Sequence, residues 1–134
     1  MELKTSKFQF RSPVLTNLVF KINDDFDSNN FDRLGDIGSE LKIDRVNIDE
    51  AIASLTLKLG SKCEDYPFYI EITMSADCKW ADCDDSEIRA FLEINMSSLL
   101  MSYMRPIVSN ITNSSRYPVL NLPFIDFSEG YKEE

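Results

Sequence analysis

The sequence predicts an α+β domain, and three observations support this class. The 134 residues contain no internal repeat or low-complexity linker, so residues 1–134 are expected to fold as one domain. Apolar and polar residues alternate between residues 51 and 76, which is the period of a strand with one buried face. From about residue 86 to about residue 113 the apolar residues follow the period of a helix instead.

The extended segments are expected to form a sheet between about residues 13 and 76. Residues 13–23 are rich in strand formers and end at a polar cluster, which indicates a first strand. Residues 38–48, "GSELKIDRVNI", are a weaker second segment in which Leu41 and Ile43 face one way.

The next two segments predict an antiparallel hairpin. In residues 51–59, Leu55, Leu57 and Leu59 alternate with polar residues, and residues 68–76 alternate in the same way. The stretch between them, "GSKCEDYP", contains the glycine and proline typical of a turn. Both strands should therefore bury one face.

A long helix is expected over about residues 86–113. Asp84, Asp85 and Ser86 can accept hydrogen bonds from the free N–H groups of its first turn. Beyond the first two turns its apolar residues leave no wide polar face, and Pro106 should kink the helix because it lacks an N–H group.

A sheet can cover only one side of such a helix, so the other side predicts a partner subunit of the same chain, in a dimer or a dimer of dimers. The expected interface residues are apolar side chains of the helix: Leu99, Leu100, Tyr103, Met104, Ile107 and Ile111.

Charge and composition disfavour several classes of protein. The net charge of −9 repels polyanions such as nucleic acid and attracts basic or unfolded cationic partners. The absence of histidine removes the commonest general base at neutral pH. No signal peptide or membrane-spanning run is recognisable, which predicts a cytoplasmic protein without membrane insertion. No phosphate loop or nucleophile motif indicates an enzyme, and no cofactor is expected.

Two clusters of residues contain potential metal ligands. Asp25, Asp27, Asn29 and Asp36 fit the first and last ligand positions of a calcium loop, but Asn30 stands where glycine is needed. A solvated acidic loop is the interpretation that this mismatch favours. A second cluster lacks histidine and a second cysteine pair, so it does not match a zinc site: Cys78, Asp82, Cys83, Asp84 and Asp85.

Apolar and aromatic residues outside any helix or strand period need to be covered by something. The clearest example is "RYPVLNLPFIDF", residues 116–127. Such residues either complete a core around an oligomer or line a groove that holds an extended apolar peptide. The candidate groove residues are Phe68, Tyr69, Trp80, Tyr117, Leu120, Leu122, Phe124 and Phe127.

The same stretch carries a resemblance to a known family. Residues 117–127 resemble the C-terminal signature of the SecB export chaperones, in which an aromatic residue and a proline precede Leu-Asn-Leu. Upstream, Tyr103 and Arg105 resemble a Tyr-x-Arg element of that family, and Ser109 falls where the family often has serine. The segments "LGSKCEDYPFYIEI" and "TNLVFKIN" resemble its strands more loosely, so the chain looks like a divergent member.

The resemblance implies a four-stranded antiparallel sheet followed by one long, proline-interrupted helix. It also implies that sheets and helices pack across subunits, up to a homotetramer. Residues 114–127 would be the crossover loop that lines a client groove, followed by a short polar tail, residues 128–134. The second helix of the family is expected to be missing.

The family binds unfolded precursor proteins without nucleotide hydrolysis and delivers them to the SecA motor. The resemblance places Tyr69 and Glu71 on the surface that faces SecA. Asn17 and Lys21 stand where the family has acidic contacts, so one charge is lost and one is reversed, and SecA docking is uncertain for that reason.

Two functional hypotheses follow. The first is a holdase for unfolded polypeptides, either in protein export or dedicated to one client such as an antitoxin. The second is a structural or regulatory oligomer whose groove is filled by its own side chains, tuned by calcium through the acidic loop. Replacing Leu120 and Phe124 by serine separates them, because only the second should lose its fold.

Overall fold

Four strands and one long helical segment make up the fold among the residues that the computed structural model describes, 2–24, 26, 37–60 and 66–129. The four strands form a single antiparallel sheet in the order β1-β4-β3-β2. The predicted α+β class is confirmed. The strands are β1 (Phe8–Ile22), β2 (Ile37–Asn47), β3 (Glu50–Gly60) and β4 (Phe68–Trp80).

The first strand is longer than the sequence predicts. It begins at Phe8 instead of residue 13, and it passes Pro13 through a shift in register next to Ser12, whose φ is 55°. An edge strand tolerates proline at a bulge because the lost N–H is not needed for pairing there. The longer β1 also extends β4, so that Trp80 pairs with Phe8 inside the sheet and does not lie in a loop.

The β3–β4 hairpin forms, and the residues predicted to be buried lie on one face of it. Leu55, Leu57 and Leu59 are buried opposite Met74, Ile72 and Ile70. The opposite face of the sheet carries hydroxyl pairs, with 2.7 Å between the Oγ atoms of Ser54 and Ser75 and 2.8 Å between the Oγ1 atoms of Thr56 and Thr73. One face is therefore the core and the other is polar.

The helical segment contains three parts: α1 (Asp85–Ala90), a π-helical turn (Phe91–Asn95) and α2 (Met96–Asn113). Asp84 caps it as predicted, because its carboxylate accepts the N–H of Glu87 at 2.8 Å. Helix α2 continues through Pro106 to Asn113. The sequence analysis did not predict the π-helical turn.

The π-helical turn keeps the buried side of the helical segment against the sheet. Buried positions recur every four residues, and in a regular helix such a row drifts around the axis. A π-helical turn takes up part of that drift. The row comprises Ile88, Leu92, Met96, Leu100, Met104, Val108 and Thr112.

The sequence predicts no wide polar face beyond the first two turns of the helix, and the structure differs from this prediction. The side that points away from the sheet exposes Ser98, Ser102 and Asn110. Leu100 and Met104 are completely buried within the subunit, so they cannot belong to an oligomer interface as predicted. Both residues lie on the face of α2 that packs on β4, β3 and β1.

Candidate client-binding surface

A cavity of about 310 Å³ lies between β2 and the first turns of the helical segment. Ile43 of β2 and Ile88 and Leu92 of the helical segment supply its apolar lining. Its remaining lining residues are charged: Arg45, Asp85, Arg89 and Glu93. An apolar floor with a charged rim suits a peptide segment that is apolar in the middle and polar around it.

Arg45 connects this cavity to the core. Its guanidinium lies 5.0 Å from the ring centroid of Trp80, in cation–π geometry. Trp80 itself is only 4% exposed, because it lies on the core face of β4. Trp80 therefore supports the cavity through Arg45 and offers almost no surface of its own.

The crossover loop is attached to the sheet at Tyr117. The hydroxyl of Tyr117 donates to the carbonyl of Asn23 at 2.9 Å, and the ring meets Phe26 edge-on at 5.6 Å. Arg116 extends this attachment by donating to the carbonyl and carboxylate of Asp24 at 3.2 and 3.1 Å. The start of the loop is thus tied to the end of β1.

The middle of the loop is attached to one flank of α2. Arg105 Nε donates to the carbonyl of Leu122 at 3.0 Å. Ser109 Oγ donates to Asn121 Oδ1 at 3.2 Å. Thr112 Oγ1 accepts the backbone N–H of Leu120 at 2.9 Å. As the helix advances from 105 to 112, the loop runs back from 122 to 120, so these contacts form an antiparallel ladder, hereafter the loop ladder.

Phe124 stands just beyond the loop ladder. It is 90% exposed, while Leu122, two residues earlier, is 1% exposed in the core. The guanidinium of Arg105 lies 4.2 Å from the centroid of the Phe124 ring. One residue of the helix therefore contacts both the buried and the exposed part of the loop.

The predicted groove residues do not form one surface. Phe68, Trp80, Tyr117 and Leu122 are buried in the core of their own subunit, which corrects their assignment as client contacts. Leu120 and Phe127 are partly buried against that core. Tyr69 lies on the opposite face of the sheet, because neighbouring residues of a strand point to opposite faces. Of the eight, Phe124 is the fully accessible residue.

Tyr69 and Glu71 instead lie together on the polar face of the sheet. Glu71 accepts hydrogen bonds from Asn17 Nδ2 at 2.8 Å and from the Tyr69 hydroxyl at 3.2 Å, and Lys58 lies 3.7 Å away. The bond from Asn17 is the main cause that lowers the pKa of Glu71. Burial, followed by the charge of Glu71, raises the pKa of Tyr69.

Four of the predicted interface residues form a row along α2. Leu99, Tyr103, Ile107 and Ile111 are spaced four residues apart and are partly accessible. Tyr103 is 39% exposed and meets Phe10 of β1 in an edge contact at 6.3 Å. This row, hereafter the helix row, lies on the flank of α2 that faces β1.

The calcium candidates Asp25, Asp27, Asn29 and Asp36 lie outside the described residues. Among the residues that are described, no group of three or more Cys, Asp or Glu side chains is arranged to hold a metal ion. Within the same ranges, none of the helices has the length and apolar character needed to cross a membrane.

The family model described as preprotein translocase subunit SecB matches residues 29–134, which is more than half of the chain. The chain belongs to the SecB family. The predicted resemblance is thereby confirmed.

Two curated SecB proteins are similar to this chain. The protein-export protein SecB of Jannaschia sp. (strain CCS1) is 30% identical over 88 residues, which covers 63% of this chain and 52% of the relative. That of Ruegeria pomeroyi is 30% identical over 111 residues, covering 75% and 67%. The chain thus spans about half to two thirds of the length of these relatives.

Solved structures show the same SecB-like fold at low sequence identity. A SecB-like chaperone from Mycobacterium tuberculosis, in complex with a peptide from an antitoxin, matches with a TM-score of 0.67 and 16% identity, covering 90% of this chain and 88% of that one. A protein of unknown function from Streptococcus agalactiae matches with a TM-score of 0.64 and 14% identity, covering 90% and 100%.

The polar contacts that hold the crossover loop were not predicted from the sequence. Arg105 and Ser109 entered only through the family resemblance, and Thr112 did not enter at all. A signal was present, because Arg105, Ser109 and Thr112 stand at positions i, i+4 and i+7 and therefore share one flank of the helix. The cavity at Ile43, Ile88 and Leu92 was also not predicted, since its members come from two distant segments.

Proposed function

We propose that this protein is an ATP-independent holdase that binds unfolded or precursor polypeptides in the cytoplasm and keeps them competent for export, without catalysing a reaction. The observation that carries the proposal is the 90% exposed Phe124 on a loop that is hydrogen-bonded to α2 at Leu120 and Leu122. An accessible apolar side chain on an ordered support binds apolar segments with little loss of conformational entropy.

The cavity beside β2 supplies a second contact for the same client. Its floor is apolar, and β2 is an edge strand of the sheet. Edge strands have unpaired backbone groups that an extended peptide can use. The net charge of −9 favours clients that are basic.

Self-association is part of the proposal. The helix row, Leu99, Tyr103, Ile107 and Ile111, presents partly exposed apolar side chains beside the small residues Ser98 and Ser102. Small neighbours allow a second helix to approach closely. We infer a homodimer or a dimer of dimers that uses this row.

For SecA, we infer weaker docking than is typical of the family. Glu71 remains on the polar face, but its carboxylate is already engaged by Asn17 and Tyr69, and Lys21 adds an exposed cation nearby. A surface with fewer available negative charges attracts a basic partner less strongly. Replacing both Asn17 and Lys21 by glutamate should raise the affinity for SecA, measured by calorimetry.

A chaperone dedicated to one client is the second candidate. The Mycobacterium tuberculosis SecB-like chaperone of similar fold was solved with an antitoxin peptide. If this chain has a similar role, one short peptide should bind much more tightly than unfolded proteins in general. The closed structural oligomer is not favoured, because the side chains of the chain itself leave Phe124 90% exposed.

The test is light scattering on a sizing column, with a permanently unfolded client and with its folded counterpart. A holdase should co-elute with the unfolded form alone. The assembly alone should have a mass of two or four times the 15.4 kDa chain.

The matched variants are Phe124→Ser and Ile48→Ser, which replace side chains that are 90% and 87% exposed. Neither should affect folding, since neither side chain is buried. Loss of client binding in Phe124→Ser but not in Ile48→Ser supports the proposal. If the wild-type protein does not co-elute with the unfolded client, the proposal is contradicted.

A further inference from the structure

We propose that Arg105 is a positioning residue for client binding: it holds the crossover loop in place and presents Phe124, with Ser109 and Thr112 completing the attachment. This inference rests on the proposed holdase function. It assigns a role to three residues of α2 that do not themselves form the apolar client surface.

The loop needs such a support because it has no regular secondary structure. Residues 118–126 belong to neither helix nor strand, so no backbone ladder restrains them. Unrestrained residues lose conformational entropy when they become ordered. If the loop were ordered only on binding, this loss would weaken the affinity for every client.

The exposure of the Phe124 side chain to solvent needs a structural explanation. The adjacent core contains Leu122, and a mobile phenylalanine so close to apolar surface would tend to fold back onto it. Arg105 opposes this in two ways. Its Nε donates to the Leu122 carbonyl at 3.0 Å, and its guanidinium lies 4.2 Å from the centroid of the Phe124 ring. The ring itself remains 90% exposed and therefore available to a client side chain.

Arginine is the residue that can make both contacts at once. Its planar guanidinium donates in the plane from Nε and stacks on an aromatic ring through its face. Lysine keeps the charge but has neither the plane nor the Nε donor. Ser109 and Thr112 then align the next two residues, Asn121 and Leu120, by bonds of 3.2 and 2.9 Å.

The first experiment measures the loop without any client. Amide hydrogen exchange of Leu120, Asn121, Leu122 and Phe124 is compared in wild type, Arg105→Gln and Thr112→Val. We expect roughly tenfold or faster exchange at Leu120 and its neighbours, the size expected for one lost hydrogen bond. Thr112→Ser retains the hydroxyl and should restore slow exchange. Ser102→Ala is the control, because the Ser102 hydroxyl donates to the carbonyl of Leu99 within its own helix.

The second experiment separates positioning from a general effect on the fold. The affinity for a fluorescently labelled, permanently unfolded client is measured for Arg105→Gln, Phe124→Ala and the double variant. If Arg105 acts through Phe124, each single variant weakens binding about tenfold and the double variant is no weaker than Phe124→Ala. Arg11→Gln, which removes an exposed ion pair with Asp77, should bind like wild type.

Each outcome decides something. Equal affinity of Arg105→Gln and wild type, or additive losses in the double variant, overturns the positioning role and leaves the holdase function standing. A wild type that binds no client overturns both. If Arg105→Gln does not fold, Thr112→Val is tested instead. Faster loop exchange and weaker binding in Thr112→Val, both restored in Thr112→Ser, support the inference. Unchanged binding in Thr112→Val overturns it.

Discussion

Asn17 Nδ2 donates a hydrogen bond to Glu71 Oε2 at 2.8 Å, from strand β1 to the neighbouring strand β4. The amide occupies a position where the resemblance to the family predicts an acidic residue. A second carboxylate there would repel Glu71, whereas the amide stabilises its charged form. One substitution thus changes both the charge of this face and the titration of its remaining acid.

Asn17→Ala should raise the pKa of Glu71 toward its ordinary value of 4.5, because the hydrogen bond from Asn17 is the main cause of the lowered pKa. Asn17→Asp should raise it further through like-charge repulsion. An NMR titration of the Glu71 carboxyl carbon measures both. Thr16→Ala, on the same strand, is the control, since Thr16 bonds the carbonyl of Thr73 instead.

The direction of the associated pH dependence follows from the sign of the shift. Because folding lowers the pKa of Glu71, its contribution to stability is present above pH 4.5 and is lost as the pH falls through the folded value. The difference in unfolding free energy between wild type and Asn17→Ala should therefore shrink on acidification below pH 4.5. A difference that grows on acidification would contradict the assignment.

Gly60→Ala should strongly destabilise the β3–β4 hairpin. Gly60 has a φ of +78°, and a Cβ at this position would lie 2.0 Å from the carbonyl oxygen of Phe68. Backbone strain of this kind costs about 1–3 kcal/mol before the clash is counted. The matched control is Gly38→Ala, whose Cβ would lie 3.7 Å from its nearest neighbour, the Lys58 carbonyl oxygen, which is an ordinary van der Waals contact. Urea denaturation should separate the two variants.

Asp84→Ala should lower stability by about 0.5–2 kcal/mol, the range for loss of a helix N-cap. Asp84 accepts the N–H of Glu87. The Glu87 carboxylate in turn accepts the Asp84 N–H and pairs with Lys7, which lies just before β1. Asp84→Ser retains a capping oxygen and should recover most of the loss. Equal destabilisation by alanine and serine would show that capping is not the cause.

Cys78 should resist alkylation in the folded protein. Burial on the core face of β4 raises the pKa of its thiol to about 11. At pH 8 roughly one thiol in a thousand is then ionised, and the thiolate is the reactive form. Iodoacetamide followed by peptide mapping should find modification at the half-buried Cys83 before Cys78, which should react only in urea. Equal rates at Cys83 and Cys78 in the native protein would be inconsistent with this burial.

The regular elements were predictable because their signals are local. The alternation around Leu57 and Ile70 places a strand and its buried face within a few residues, and Asp84 marks the helix start by its own side chain. The start of β1 was not predictable, because a proline such as Pro13 normally indicates the boundary of a strand. Here a shift in register accommodates it within the strand. The π-helical turn also leaves no local signature.

The predicted groove residues show what local sequence signals cannot predict. Tyr117 and Phe124 are equally aromatic in the sequence, yet one is 7% and the other 90% exposed. Aromatic character predicts that a side chain needs a partner, but it does not tell whether the partner belongs to the same chain.

The sequence by itself determined that this protein has a sheet, a capped long helix and an apolar terminal segment, since each depends on patterns of neighbouring residues. Only the tertiary structure decided which apolar side chains remain accessible. That choice depends on contacts such as Tyr117 to Asn23, 94 positions apart, and Arg105 to Leu122, 17 apart. Hydrogen bonds between distant residues arise from the packing of the sheet, the helix and the loop, and no local periodicity encodes them.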